Sequence, residues 1–196
     1  MLLMQSLDKA RNLVLEKYKN EHQSRLQHIL GVVKMAKYLA GIYGVDETKA
    51  QIAAYMHDYI KYESIDEMLM LINEEDKDEC MNCNVLLHSY ASANMYLKYI
   101  GNDMDIYNAI RNPVFGRTNM SKLEEIILIS DYTEENRQYE SCITCRKILL
   151  AGKLDEAIYY STKKTVDYLE STNKKAHPTQ IAVLKEYEGK ILLWHY

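Results

Sequence analysis

Residues Ile52-Ala53-Ala54-Tyr55-Met56-His57-Asp58 set a run of apolar, mostly small side chains directly against a histidine and an aspartate. Such a run packs deep in a core, and the pair that follows it is carried inward. Burying a carboxylate beside an imidazole is costly unless a cation or strong hydrogen bonds compensate, and a metal ion supplies both. The pair therefore points to a metal site at the inner end of a helix.

The chain on either side also reads as helix. Its 196 residues contain only 7 glycines and 2 prolines, too few turn-formers for a sandwich or barrel. A first helix is expected over about Ser6 to Lys19. A second is expected over Ser24 to Tyr43, where Leu26, Leu30, Val33, Lys37 and Ala40 recur at helical spacing and Gly44 closes it. A third starts at the N-cap Asp46 and runs to about Tyr59. Ser64 with Glu67, and Ser121 with Glu124, form capping boxes that start helices at both places. Further helices are expected at 85–100, 103–112, 122–133, 142–150, 154–171 and 179–193. The charged segment 73–84 reads as a loop, as does 113–119. The expectation is a single all-α domain over 1–196.

Apolar residues are 47% and charged residues 27% of the chain, which excludes disorder and membrane-protein composition. A formal net charge of -4 argues against nucleic acid or an anionic membrane as partner and leaves a small molecule. The four apolar residues at the start are too few for a signal peptide, so a cytoplasmic protein with reduced thiols is expected. The cysteines fall in two pairs, Cys80-x-x-Cys83 and Cys142-x-x-Cys145. Their wide separation leaves three readings open: a four-thiolate zinc site if the pairs meet in space, a redox role, or ordinary cysteines. The 17 tyrosines are expected to line the core with their hydroxyls at its rim.

Beyond His57 and Asp58, three further residues have ligand chemistry in suggestive places: His28 near the start of the second helix, His88 opening a later one, and Asp131 inside the apolar stretch 126–132. Taken singly, each also has an ordinary reading as a core or capping histidine or a solvated carboxylate. As a set of imidazoles and carboxylates without thiolate they suit zinc, manganese or iron, and leave coordination positions open for water and substrate.

The set also resembles a known family. His28, His57-Asp58, His88 and Asp131 follow the order of metal-binding residues in the HD-domain phosphohydrolases. The resemblance narrows to the bacterial symmetrical diadenosine tetraphosphatases through Arg25-x-x-His28, His57-Asp58-x-x-Lys61, Leu87-His88-Ser89, Gly116-Arg117-x-Asn119-Met120-Ser121-x-Leu123-Glu124, Ser130-Asp131-Tyr132-x-Glu134-x-x-Arg137 and His177-Pro178-Thr179. It implies an all-α fold with a two-iron centre that splits diadenosine tetraphosphate into two ADP. His28, His57, Asp58 and Asp131 would hold the first metal, and Asp58 would bridge to a second held partly by His88. Manganese or zinc could take the place of iron. Asp58, Lys61 and Arg137 would be catalytic. Lys61, Arg117 and Arg137 would clamp phosphate, since forked guanidinium donors match phosphate oxygens, and His177 would contact substrate or cap the last helix. A homodimer is compatible with the resemblance.

One position departs from the family pattern. Where the family carries a histidine shortly before Gly116-Arg117, this chain has Pro113, whose side chain cannot bind a metal. A one-metal nucleotidase, or a nucleotide-binding sensor with reduced or no turnover, therefore stands beside the two-metal hydrolase as an alternative.

Overall fold

The computed structural model describes residues 2–193; Met1 and residues 194–196 of the expected domain lie outside them. Among the described residues the chain forms eleven α-helices and two single 3-10 turns, with no strand, as the scarcity of glycine and proline predicts. The helices are α1 (Leu2–Tyr18), α2 (Gln23–Tyr43), α3 (Glu47–Met56), α4 (Ile65–Leu71), α5 (Lys77–Asn82), α6 (Leu87–Tyr99), α7 (Met104–Arg111), α8 (Lys122–Thr133), α9 (Glu140–Leu150), α10 (Leu154–Ser171) and α11 (Pro178–Leu193).

Local signals place several ends. Asp46 accepts from the amides of Thr48 and Lys49 at 2.7 and 3.1 Å and starts α3. Both capping boxes form at the heads of α4 and α8. Gly44, at φ 68°, returns its amide to the Ala40 carbonyl and ends α2 in the left-handed conformation that glycine tolerates.

Helix α3 is the axle of the fold. Ala50, Ile52, Ala53, Ala54, Tyr55 and Met56 are all buried, because alanines on several faces let α1, α2, α7 and α8 approach together. It stops at Met56, three residues short of the expected end. From there the backbone tightens into i to i+3 bonds, Tyr59 to Met56 and Lys61 to Asp58, while the Tyr18 hydroxyl donates to the carbonyls of Asp58 and Tyr59 at 3.0 and 3.1 Å. A phenol from α1 thus takes up acceptors that a longer helix would have used internally.

Apolar side chains gather in two clusters. The larger runs through α1–α3 and α6–α11; the smaller joins Ile60, Met68, Ile72, Cys80, Leu86, Leu87, Tyr90 and Ala91. His57 and Asp58 lie on the chain between Met56 of the first and Ile60 of the second. The smaller cluster also explains why 73–84 is not the expected loop. It forms a 3-10 turn and α5, because Cys80 is drawn fully into the cluster and Asp76 receives Arg111 bidentately at 2.6 and 2.7 Å, with that guanidinium 3.7 Å above the Tyr90 ring. These contacts come from distant residues and override the polar local composition.

The tyrosines largely follow expectation: buried Tyr18, Tyr96 and Tyr187 each place the hydroxyl on a polar partner, Tyr187 donating to Glu125 at 2.6 Å. The cysteines do not gather. Cys80 belongs to the small cluster and Cys145 to the large one, and burial pushes both thiols up to about 12. Among the described residues no helix is long and apolar enough to cross a membrane.

Candidate metal centre

Three helices and one helix end converge on a point between the clusters. Helix α2 supplies His28 and, one turn earlier on the same face, Arg25. The end of α3 supplies His57 and Asp58, α6 supplies His88, and α8 supplies Asp131. One ligand atom each from His28, His57 and Asp131 fits within a 4.8 Å span, the one such group of three among the described residues. His28 Nε2 lies 3.1 Å from Asp131 Oδ1, and Asp58 Oδ2 lies 3.7 and 3.5 Å from the Nε2 atoms of His28 and His57. The four residues expected around the first ion are therefore brought together.

The orientation of the rings supports a cation. His57 Nδ1 is fixed on the Ala54 carbonyl at 2.6 Å and His28 Nδ1 on Glu134 Oε1 at 3.2 Å. Both Nε2 atoms face the common point, buried and without a hydrogen-bond partner among the described residues. A buried imidazole nitrogen left unpaired is costly, and a metal ligand held by a hydrogen bond on its other nitrogen is how histidine binds metals.

Charge is concentrated here as well. Burial alone would raise Asp58 and Asp131. For Asp58 the neighbouring His57, a hydrogen bond from His88 and the charge of Lys61 outweigh it; for Asp131 the His28 contact and Arg137 do. Both carboxyls sit below their usual range. His57 is raised despite burial, chiefly by the charge of the adjacent Asp58. His88 is lowered, by burial and then by Lys61 and His57, against the pull of Asp58, which keeps it neutral near pH 7 and able to act as a ligand.

The centre opens onto a cavity of about 370 Å³. Arg25, His57, Asp58, Lys61, His88, Asp131 and Arg137 line one part of it, with Pro113, Val114, Phe115, Leu128 and Tyr132 between them and an uncharged wall from α10 and α11. Lys61 Nζ is 3.0 Å from His88 Nε2 and 3.8 Å from Asp58 Oδ1. Arg137 donates to the Asp131 carbonyl at 2.6 Å and to its Oδ1 at 2.7 Å.

The other two candidates are placed differently. Arg117 is not on this cavity: its guanidinium grips the buried Glu124 through Nε at 2.7 Å and Nη2 at 2.6 Å, and lines a neighbouring pocket. Glu124 also accepts from Asn112 Nδ2 at 3.0 Å and from the Ser121 amide at 2.8 Å. The Gly116-Arg117 motif thus ties down the turn that carries Pro113 to Phe115 into the cavity wall. His177 caps α11, its Nδ1 accepting from the Thr179 amide at 3.3 Å, and stacks on the cavity-lining Phe115 with centroids 4.7 Å apart and planes at 16°.

Three contributors escaped the sequence reading. Arg25 pairs with Asp58 at 2.7 Å. Glu134, buried, aims His28. Gly31 leaves room for it: a methyl there would collide with Glu134 Oε2. Arg25 and Glu134 stand in motifs quoted above, but a charged residue on a helix face or at a helix end carries no sign of inward direction.

The chain matches the HD domain family model over residues 25–136, which include all five expected metal ligands. It is 37% identical to a symmetrical bis(5'-nucleosyl)-tetraphosphatase of Halalkalibacterium halodurans, the match covering 84% of this chain and 89% of that protein. The protein of the same name from Bacillus subtilis is 35% identical, with 80% and 85% covered, and that from Staphylococcus aureus 30%, with 93% and 94%. A crystal structure of a predicted HD superfamily hydrolase involved in NAD metabolism from Clostridium acetobutylicum superposes with a TM-score of 0.81 at 30% identity, covering 93% of this chain and 97% of that one. The chain belongs to the HD-domain family, a family of divalent-metal hydrolases, in the branch of the symmetrical bis(5'-nucleosyl)-tetraphosphatases.

Proposed function

We propose that this protein hydrolyses diadenosine tetraphosphate symmetrically to two ADP, with His28, His57, Asp58 and Asp131 holding a divalent ion, iron in the first instance. The observation that carries the reading is the pair of buried, unpartnered Nε2 atoms facing two carboxylates at the head of a cationic cavity. When bound, the cation supplies Lewis acidity, lowering the pKa of a water and drawing charge from the phosphoryl oxygens. The chain's own groups do the rest. Glu134 and the Ala54 carbonyl hold the two imidazoles in register. Lys61 and Arg137 stand ready to neutralise phosphate charge, and Arg25, on the same cavity, adds a third cation. The single-domain organisation, a cytoplasmic location and the lack of a nucleic-acid partner belong to the same proposal.

Incubation of the metal-loaded protein with diadenosine tetraphosphate, with products separated by anion exchange, tests it. Two ADP are expected. AMP with ATP, or no cleavage, refutes it.

A second reading, one tightly held ion rather than two, is favoured by Pro113 on the cavity wall and by the Lys61 ammonium beside both His88 and Asp58. An ammonium there supplies positive charge that a second ion would otherwise bring.

A further inference from the structure

The part of the cavity wall built by α10 and α11 has no task in the metal chemistry. Ser161, Thr162, Thr165 and Gln180 line it, all uncharged, in the same space as the cationic part. Gln180 is 3% exposed, and its orientation is fixed: as the third residue of α11, its Oε1 accepts from the His177 amide at 3.0 Å. The amide oxygen is thereby spent on the helix cap. The Nε2 group remains as a donor on the cavity, with no partner among the described residues. Phe115, the chain's one phenylalanine, lines the same cavity, and its ring is held by the stack on His177.

We propose that this wall is the nucleoside subsite, with Gln180 donating a hydrogen bond to a purine ring nitrogen or ribose oxygen and Phe115 offering a flat apolar surface to the base. The inference rests on the nucleotide-hydrolase reading and adds to it the residue that discriminates a nucleotide from bare polyphosphate. Three physical points carry it. An amide donor that faces the cavity without a protein partner is free to pair an acceptor on whatever enters, in exchange for water. Neutral polar groups suit a nucleoside, whereas phosphate calls for cations. Ser161, Thr162, Thr165 and Gln180 lie outside residues 25–136, so the polar part of the wall comes from a piece of chain separate from the matched HD unit, and Phe115 joins it from within that unit.

The test compares ADP with inorganic pyrophosphate on the metal-loaded protein by calorimetry, because pyrophosphate engages the cations and metal but not this wall. Gln180→Met removes the donor and the cap; Gln180→Glu keeps an acceptor for the His177 amide, removes the donor and adds a negative charge, whose repulsion of phosphate is cancelled by reading ADP against pyrophosphate. Each variant is expected to lower the ADP-to-pyrophosphate affinity ratio about three- to tenfold, the worth of one hydrogen bond. In Gln180→Met the KM for diadenosine tetraphosphate should rise while kcat holds. Equal loss of both ligands, or an unchanged ratio in both variants, overturns the subsite. A wild-type protein that cleaves no dinucleoside polyphosphate refutes the hydrolase reading separately, and the affinity ratio still decides the subsite.

Discussion

Glu134→Gln isolates the orientation of the metal centre from its ligands. Glu134 is 1% exposed and accepts on both oxygens: Oε1 faces His28 Nδ1 at 3.2 Å, and Oε2 takes the Asn136 amide at 2.6 Å and its Nδ2 at 2.9 Å. A glutamine keeps the shape and one acceptor. Its NH2 must then confront either the two Asn136 donors or the His28 N–H, so one side of the network is lost. Hydrogen bonds to charged groups contribute about 1.5–3 kcal/mol, and the variant should lose stability in that range. If His28 is a ligand, loss of its aiming partner should also weaken metal binding about 10- to 100-fold. Competition with a fluorescent chelator reads the affinity, and thermal unfolding of the metal-free protein reads the stability. A destabilised variant with unchanged metal affinity would show that Glu134 merely packs, and would remove His28 from the centre.

Arg117→Ala should destabilise the protein by about 1–3 kcal/mol in a denaturant titration, because Glu124 stays buried with one fewer partner, while pyrophosphate affinity stays unchanged; the reverse pattern would restore Arg117 as a phosphate clamp. Pro113→His should raise the metal content towards two ions per chain by mass spectrometry, with Pro113→Ala as the control for lost backbone rigidity; two tightly held ions already present in the wild type would contradict the one-ion reading. Asp58 and Asp131 have depressed folded pKa values, so the stability they contribute to the metal-free protein is complete above the ordinary carboxylate value and lost as pH falls below about 4. Unfolding temperatures along a pH series should fall on that acid side and fall less in Asp131→Asn.

What could be read in advance was whatever local chemistry announces. Capping side chains lie within three residues of the amides they bind, so Asp46, Ser64 and Ser121 marked helix starts correctly. The apolar run before His57 forced that pair inward whatever the rest of the chain did. Segment 73–84 was misjudged because its helicity depends on Arg111, 35 residues from Asp76. Arg117 reads as a phosphate ligand by residue type, and its pairing with the capping-box Glu124 is a contact that sequence alone does not announce. The Gln180 wall was silent for a simpler reason: serine, threonine and glutamine on two amphipathic helices look alike whether they face water or a cavity.

The central claim is a divalent ion held at the point shared by His28, His57, Asp58 and Asp131. Anomalous diffraction from crystals of the metal-loaded protein, collected on either side of the iron edge, tests it most directly. The account predicts a strong peak within coordination distance of both Nε2 atoms and the Asp131 carboxylate. A loaded crystal whose only iron peak lies elsewhere, or which shows none, contradicts it.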